Sequence, residues 1–321
     1  MPSGNVTLLE AAKCGDNMVK QGVVETLIQE SPWIEMLPWM AFSGNALQHS
    51  EEGTLPDVQF RAVNESYSAS WGSDNQHFWG VAILGGEIKV DRFLVDVIGN
   101  RNDVKAKQWT KLAKSNAMRF GFECIDGTGS VASKGFKGLK TLIGEGFGQT
   151  VVHSATGATL ASAAGLNNLD LALDSFRNQG GPDALLLNRT IRRQITTAAR
   201  NSITGVSLID VGTDTFGRQT VSYDGVPFRI LGDVRDASGN TVPNLPFTED
   251  PGDGVFDTAS IYFAKFGEDD ITGLLGLGGS FNVEDFGELE TAPQQMGRLE
   301  WYPGLAVFNK FSVVRVRGIT V

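Results

Sequence analysis

Few residues in this sequence are of the types, at the spacings, that perform chemistry. Its three histidines, His49, His77 and His153, have no histidine or cysteine three or four residues on, the spacing at which one turn assembles a metal site. The two cysteines, Cys14 and Cys124, are too sparse for a disulfide scaffold and fit ordinary buried thiols in a reducing compartment. No G-x-S-x-G elbow, H-E-x-x-H or phosphate-loop string occurs. Gly144, Gly146 and Gly148 lack the last glycine of a dinucleotide fingerprint and the strand and helix that would frame it. Asp250, Asp253 and Asp257, around Gly252 and Gly254, could gather on a cation, but their spacing is not that of a calcium-binding hand, and an acidic surface turn is the better reading. Glu284, Asp285, Glu288 and Glu290 offer paired carboxylates without a pocket to separate their pKa values, so structural charge is the default. No catalytic residue, metal or cofactor is expected. A metal-dependent enzyme using the three aspartates remains the rival from a different class.

Such a chain works through its surface, and its charge is distributed unevenly. The total is −10, from 27 basic and 37 acidic residues. Between residues 101 and 140, nine basic residues face only Asp103, Glu123 and Asp126; between 241 and 300, twelve acidic residues face only Lys265 and Arg298. Two readings follow: a pair of solvated faces, or head-to-tail complementarity between copies of one chain. The overall sign argues against a dedicated nucleic-acid binder, leaving non-specific contact through the basic segment. With 41% hydrophobic and 20% charged residues the composition is globular, and no run approaches 18 apolar residues, so no membrane is expected. The 39 glycines exceed a background of roughly 7% and disfavour a helical bundle.

The elements that must carry these surfaces follow from periodicity. Residues 7–30 read as a helix with Val19, Val23 and Leu27 on one face, weakened by Gly15 and Gly22, within an arm spanning 1–50. Residues 55–63 alternate (Val58, Phe60 and Ala62 against Gln59 and Arg61), and 79–91 alternate again. With Ser73-Asp74-Asn75 between them, they predict one long two-stranded hairpin. Tyr67, Trp71, Phe78 and Trp79 are large aromatics that a free ribbon cannot bury: either they fold back onto their own domain or, the preferred reading, they contact a neighbouring subunit. Residues 101–125 form an amphipathic helix with Trp109, Leu112, Ala113, Ala117 and Phe120 on one face, and Lys107, Lys111 and Lys114 off it as a second candidate contact. A helix from Leu166 to Phe176, a buried strand Asp183–Leu187 and a helix from Arg189 capped by Asn188 come next. Strands at 206–211, 219–223, 226–231 and 260–265 follow, then a β-rich tail at 305–308 and 312–319. Helices and strands mix without regular βαβ alternation, an α+β fold.

This order of elements resembles a tailed-bacteriophage major capsid protein of the Hong Kong 97 type over nearly the whole chain. Local strings carry the likeness too: Arg61-Ala62-Val63-Asn64-Glu65, Gly181-Pro182-Asp183-Ala184 leading into Asn188, and Gly304-Leu305-Ala306-Val307 before Arg317-Gly318-Ile319. The resemblance implies an N-terminal arm at 1–50 and an extended E-loop hairpin at 51–90. It also implies a peripheral domain from 91–165 and 272–321 with the long helix as spine, and an axial domain at 166–271. It further implies self-assembly into pentamers and hexamers of an icosahedral head around double-stranded DNA. Portal and decoration proteins would be partners, and the place would be the virion after assembly in the host cytoplasm. No lysine lies between Lys20 and Lys89, so a hairpin cross-link to a neighbour is not expected. The first helix is expected within ten residues of Met1, so scaffolding would come from a separate protein. An encapsulin-type compartment is the rival within the same fold.

Overall fold

The computed structural model describes residues 31–44, 46–94, 104–176, 180–201, 209–213, 219–236, 238–276 and 281–321. The expected helix at 7–30 and Cys14 lie outside the described residues, as do the starts of the segments expected at 101–125 and 206–211.

The first half of the chain forms α1 (Pro32–Met36), β1 (Trp39–Phe42), β2 (Ala46–Thr54), β3 (Ser73–Gly80), β4 (Leu84–Asp91), α2 (Val104–Asp126), α3 (Leu139–Gly144) and β5 (Gln149–Val152). There follow α4 (Ala163–Ser175), β6 (Ala184–Leu187), α5 (Arg189–Asn201), β7 (Ile209–Thr213), β8 (Gln219–Tyr223), β9 (Val226–Ile230), β10 (Asp233–Arg235) and β11 (Thr241–Pro243). The last part is all β: β12 (Ala259–Ala264), β13 (Ile271–Gly276), β14 (Asn282–Glu288), β15 (Gln294–Trp301), β16 (Pro303–Val307) and β17 (Val313–Ile319).

The centre is a seven-stranded sheet in the order β5-β17-β12-β6-β9-β8-β7. Strands β6 and β12 are buried at every residue, so side chains alternating across the pleat feed two separate cores. Leu185, Leu187, Ile261 and Phe263 face α4 and α5, packing on Leu169, Ile191 and Ile195. Leu186 and Tyr262 face the opposite core, which holds Trp33, Trp109, Phe120 and Trp301. The Asn188 side-chain oxygen accepts from the Ile191 amide at 2.8 Å and starts α5, as its capping chemistry predicts.

Of the face read from its spacing, helix α2 buries Trp109, Ala113, Ala117 and Phe120 and half-buries Leu112; Cys124 is buried as well. Burial pushes the Cys124 thiol well up, leaving it an inert core residue. Under α2 lies the sheet β14-β15-β4, and the close approach depends on Gly297, where an added Cβ would run into the Trp109 ring.

Three expectations change. The alternating stretch 55–63 pairs with no strand among the described residues; the hairpin is β2 against β3, in register from Ala46↔Gly80 to Thr54↔Ser73, so Ser73-Asp74-Asn75 lies in a strand rather than at a turn. The second alternating stretch breaks after Gly80, and β4 pairs with β15 from Asp91↔Gln294 to Leu84↔Trp301, burying Ile88 and Val90 beneath α2. Alternation reports that a segment has two unlike faces; it does not name the partner strand. Residues 31–42, expected inside the arm, are core: Trp33, Ile34 and Leu37 are buried, and β1 pairs in parallel with β13 from Trp39↔Gly273. The Trp39 ring, 5.5 Å from that of Trp301 and 5.7 Å from that of Phe120, explains why this segment docks.

Candidate assembly surfaces

The segment 55–72 leaves the body between β2 and β3 with no regular structure and large apolar side chains in water. Val58, Phe60, Val63 and Tyr67 are exposed, and Trp71 is 85% exposed. The Thr54 and Ser73 hydroxyls meet at 2.7 Å and close its neck. Its tip is shaped from within: the Ala62 amide donates to Glu65 Oε2 at 2.9 Å, Ser70 donates to the Asp57 carbonyl at 3.1 Å, and the Arg61 guanidinium lies 5.4 Å from the Tyr67 ring. Holding a fixed shape while exposing apolar surface is the physical signature of a docking element.

The root of this hairpin is fixed to its own subunit. Trp79 is only 6% exposed, with its ring 5.0 Å from Phe147 and 6.3 Å from Phe308. The expectation that Trp79 needs a neighbour for burial is thus corrected: β3 alternates, turning Trp79 inward and leaving Phe78 66% exposed. His77 stacks edge-on to Phe147, and Glu51 bridges His77 at 3.4 Å and Lys310 at 3.1 Å. A cleft of about 470 Å³ lies beside this root, lined by Trp79, Phe136, Lys137, Glu145 and Phe147.

Lys107, Lys111 and Lys114 are exposed on the outer face of α2, where their spacing put them. Lys105, two residues before Lys107, reaches Asp285 at 2.6 Å. Arg298 meets Glu87 at 2.7 Å and Arg92 meets Glu288 at 3.1 Å. Part of the charge complementarity read as lying between copies is therefore met inside one subunit.

A polar junction that the sequence did not reveal ties the two cores together. Glu249 takes Arg315 at 2.8 Å and Lys140 at 3.1 Å, and accepts from the Ser260 hydroxyl; Lys140 also reaches Asp126, the last residue of α2, at 3.0 Å. Burial alone raises the Glu249 carboxyl, but Arg315, Lys140 and Ser260 outweigh it and hold it below the usual carboxylate range. These residues are far apart in sequence, and no local pattern marks them.

The aspartates proposed as a cation site do not converge. Asp250 accepts from the Gly252 and Gly254 amides at 2.7 and 3.0 Å, and Asp253 from Val255 at 2.9 Å, each folding its own turn. Among the described residues no three His, Cys, Asp or Glu side chains gather as a metal site, and no described helix is long and apolar enough to cross a membrane.

No protein-family model and no curated protein sequence matches the chain. Solved structures do. The holo-SrpI encapsulin complex of Synechococcus elongatus aligns with a TM-score of 0.63 at 15% identity, over 91% of this chain and 89% of that one. A chain from Mycobacterium phage Cain aligns at 0.58 and 12% identity over 98% of both, and the capsid of the native GTA particle at 0.56 and 13% over 90% of both. Coverage of both chains nearly end to end rules out a shared fragment, and the mixed helices and strands align as one unit. The protein has the α+β fold of Hong Kong 97-type capsid proteins.

Proposed function

We propose that this chain is a major capsid protein, a structural subunit without enzymatic activity that assembles into the pentamers and hexamers of an icosahedral phage head enclosing double-stranded DNA. One observation carries the reading: a capsid fold matched over about nine-tenths of its length presents a preshaped apolar loop, 55–72, that its own subunit leaves uncovered. In this reading β2, β3 and that loop are the E-loop, α2 is the spine of the peripheral domain, and the seven-stranded sheet with α4 and α5 builds the axial domain. That sheet takes in β5 and β17, so the axial unit is wider than 166–271. Tyr67, Trp71 and Phe78 contact the next subunit, and Lys107, Lys111 and Lys114 bias its approach. Scaffolding, portal and decoration proteins are separate partners. The subunit assembles in the host cytoplasm and resides in the virion.

Electron microscopy of purified protein, alone and with a co-expressed scaffold, tests this directly. Closed shells of capsomers are expected, and protein that stays monomeric at high concentration overturns the reading. The alignment with an encapsulin at 0.63 favours a second reading, a protein compartment. A gene neighbourhood of portal and terminase supports the head; a neighbouring cargo enzyme supports the compartment.

A further inference from the structure

Helix α5 has the sequence Arg-Thr-Ile-Arg-Arg-Gln-Ile-Thr-Thr-Ala-Ala-Arg-Asn, with no lysine and no acidic residue, inside a chain of net charge −10. Ile191, Ile195 and Ala198 face the sheet and are buried. At 100° per residue, Arg189, Arg192 and Arg193 fall within an arc of about 100° on the opposite side. All three are exposed, and among the described residues none takes part in a side-chain hydrogen bond or an ion pair. The contrast with α2 is informative, because there Lys105 is already committed to Asp285. Thr196 and Thr197 donate back to the carbonyls of Arg192 and Arg193 at 2.9 Å, so hydroxyls rather than carboxylates share that side of the helix.

We infer that the outer face of α5, through Arg189, Arg192 and Arg193, is the surface on which this protein meets the phosphate backbone of nucleic acid. The guanidinium fork matches phosphate oxygens two at a time and keeps its charge at any physiological pH. Arg189 and Arg193 stand one turn apart, about 6 Å along the axis, with Arg192 beside them. Three exposed guanidiniums on one helix face suit a repeating polyanion; Arg189 also borders an apolar cleft lined by Leu231, Leu245, Pro246 and Phe247, so an interface between copies is the alternative the test must separate. The inference rests on the shell reading only for which nucleic acid is met, the duplex inside the head. It assigns that contact to α5 rather than to the lysines of α2.

The test is binding of a short mixed-sequence DNA duplex to the full-length subunit, dissociated from shells if they form, over a salt series. With three phosphates neutralised, affinity falls roughly forty-fold between about 50 and 200 mM salt. The variant R189Q/R192Q/R193Q is expected to lose that dependence, with R192Q/R193Q intermediate, while K107Q/K111Q/K114Q keeps it. Thermal melting of each variant identifies any that has merely unfolded, and the double variant then serves in its place. No wild-type binding at the lowest salt overturns the inference, as does a salt slope carried by the lysines. Arginine variants that keep DNA binding but lose assembly also overturn it, making the row an interface between copies. Binding is measured on subunits, so its outcome is independent of whether shells form.

Discussion

Glu249 is a half-buried carboxylate whose charge is worth keeping only because Arg315 and Lys140 are there. Its folded pKa is depressed, so the stability it contributes is present above its ordinary value of 4.5 and is lost as pH falls through the lower folded value. E249Q leaves two cations facing a neutral amide, and because Glu249 is half-buried and Lys140 partly exposed the loss is smaller than for a fully buried pair, on the order of 1–3 kcal/mol. A lower melting temperature at pH 7, with a flatter decline below pH 4.5, is expected from calorimetry; equal acid sensitivity in both proteins would exonerate this residue. His153 works in a higher window. Desolvation lowers its pKa, with the Asn168 amide 3.0 Å from Nδ1, so the native state prefers the neutral ring. The unfolded chain takes up a proton first, and stability falls as pH drops from about 6.5 toward the folded value. H153Q should remove that part of the pH dependence; a melting profile between pH 5 and 7 that is the same as wild type would show that the ring does not contribute it.

Between strands, one position separates the two sides of the hairpin. Phe78 and Trp79 are adjacent, yet one is exposed and the other packs against Phe147 and Phe308. W79S should therefore cost about 3–5 kcal/mol in the isolated subunit, the scale of deleting a buried aromatic. The combination Y67S/W71S/F78S should leave subunit melting nearly unchanged and abolish assembly. Equal loss of melting temperature in both variants would place all four side chains in one intramolecular core. The elements themselves were largely legible: the face of α2, the Asn188 cap and the buried run at 184–187 are local patterns, and local patterns survive in a sequence. The partner of 55–63 was not, because a strand pattern carries no address and this segment pairs with no strand among the described residues. The place of Trp39 was hidden too, since the parallel pairing of β1 with β13 joins residues more than two hundred positions apart.

At the scale of the molecule, the charges of α2 and of the acidic late region are partly neutralised across Lys105–Asp285, while Lys107, Lys111 and Lys114 stay exposed on the outer face of α2. Reversing Lys107, Lys111 and Lys114 to glutamate should change how light scattering from assembling subunits responds to added salt. An unaltered response leaves them as solvated charge. The Glu249 junction, drawn from α2, α3, the 249 turn and β17, exists only once the chain has folded, so no local pattern in the sequence announces it. Strand β17 has a further consequence. It is an interior strand of the seven-stranded sheet, flanked by β12 and by β5, which lies more than 160 residues earlier. The sheet therefore cannot close while the chain is still being translated up to Ile319, and a ribosome that stalls early releases a subunit with β5 detached and both cores open. Synthesis through β17 becomes a condition of completing this sheet, so a chain cut short of it cannot present the surfaces that the folded subunit presents.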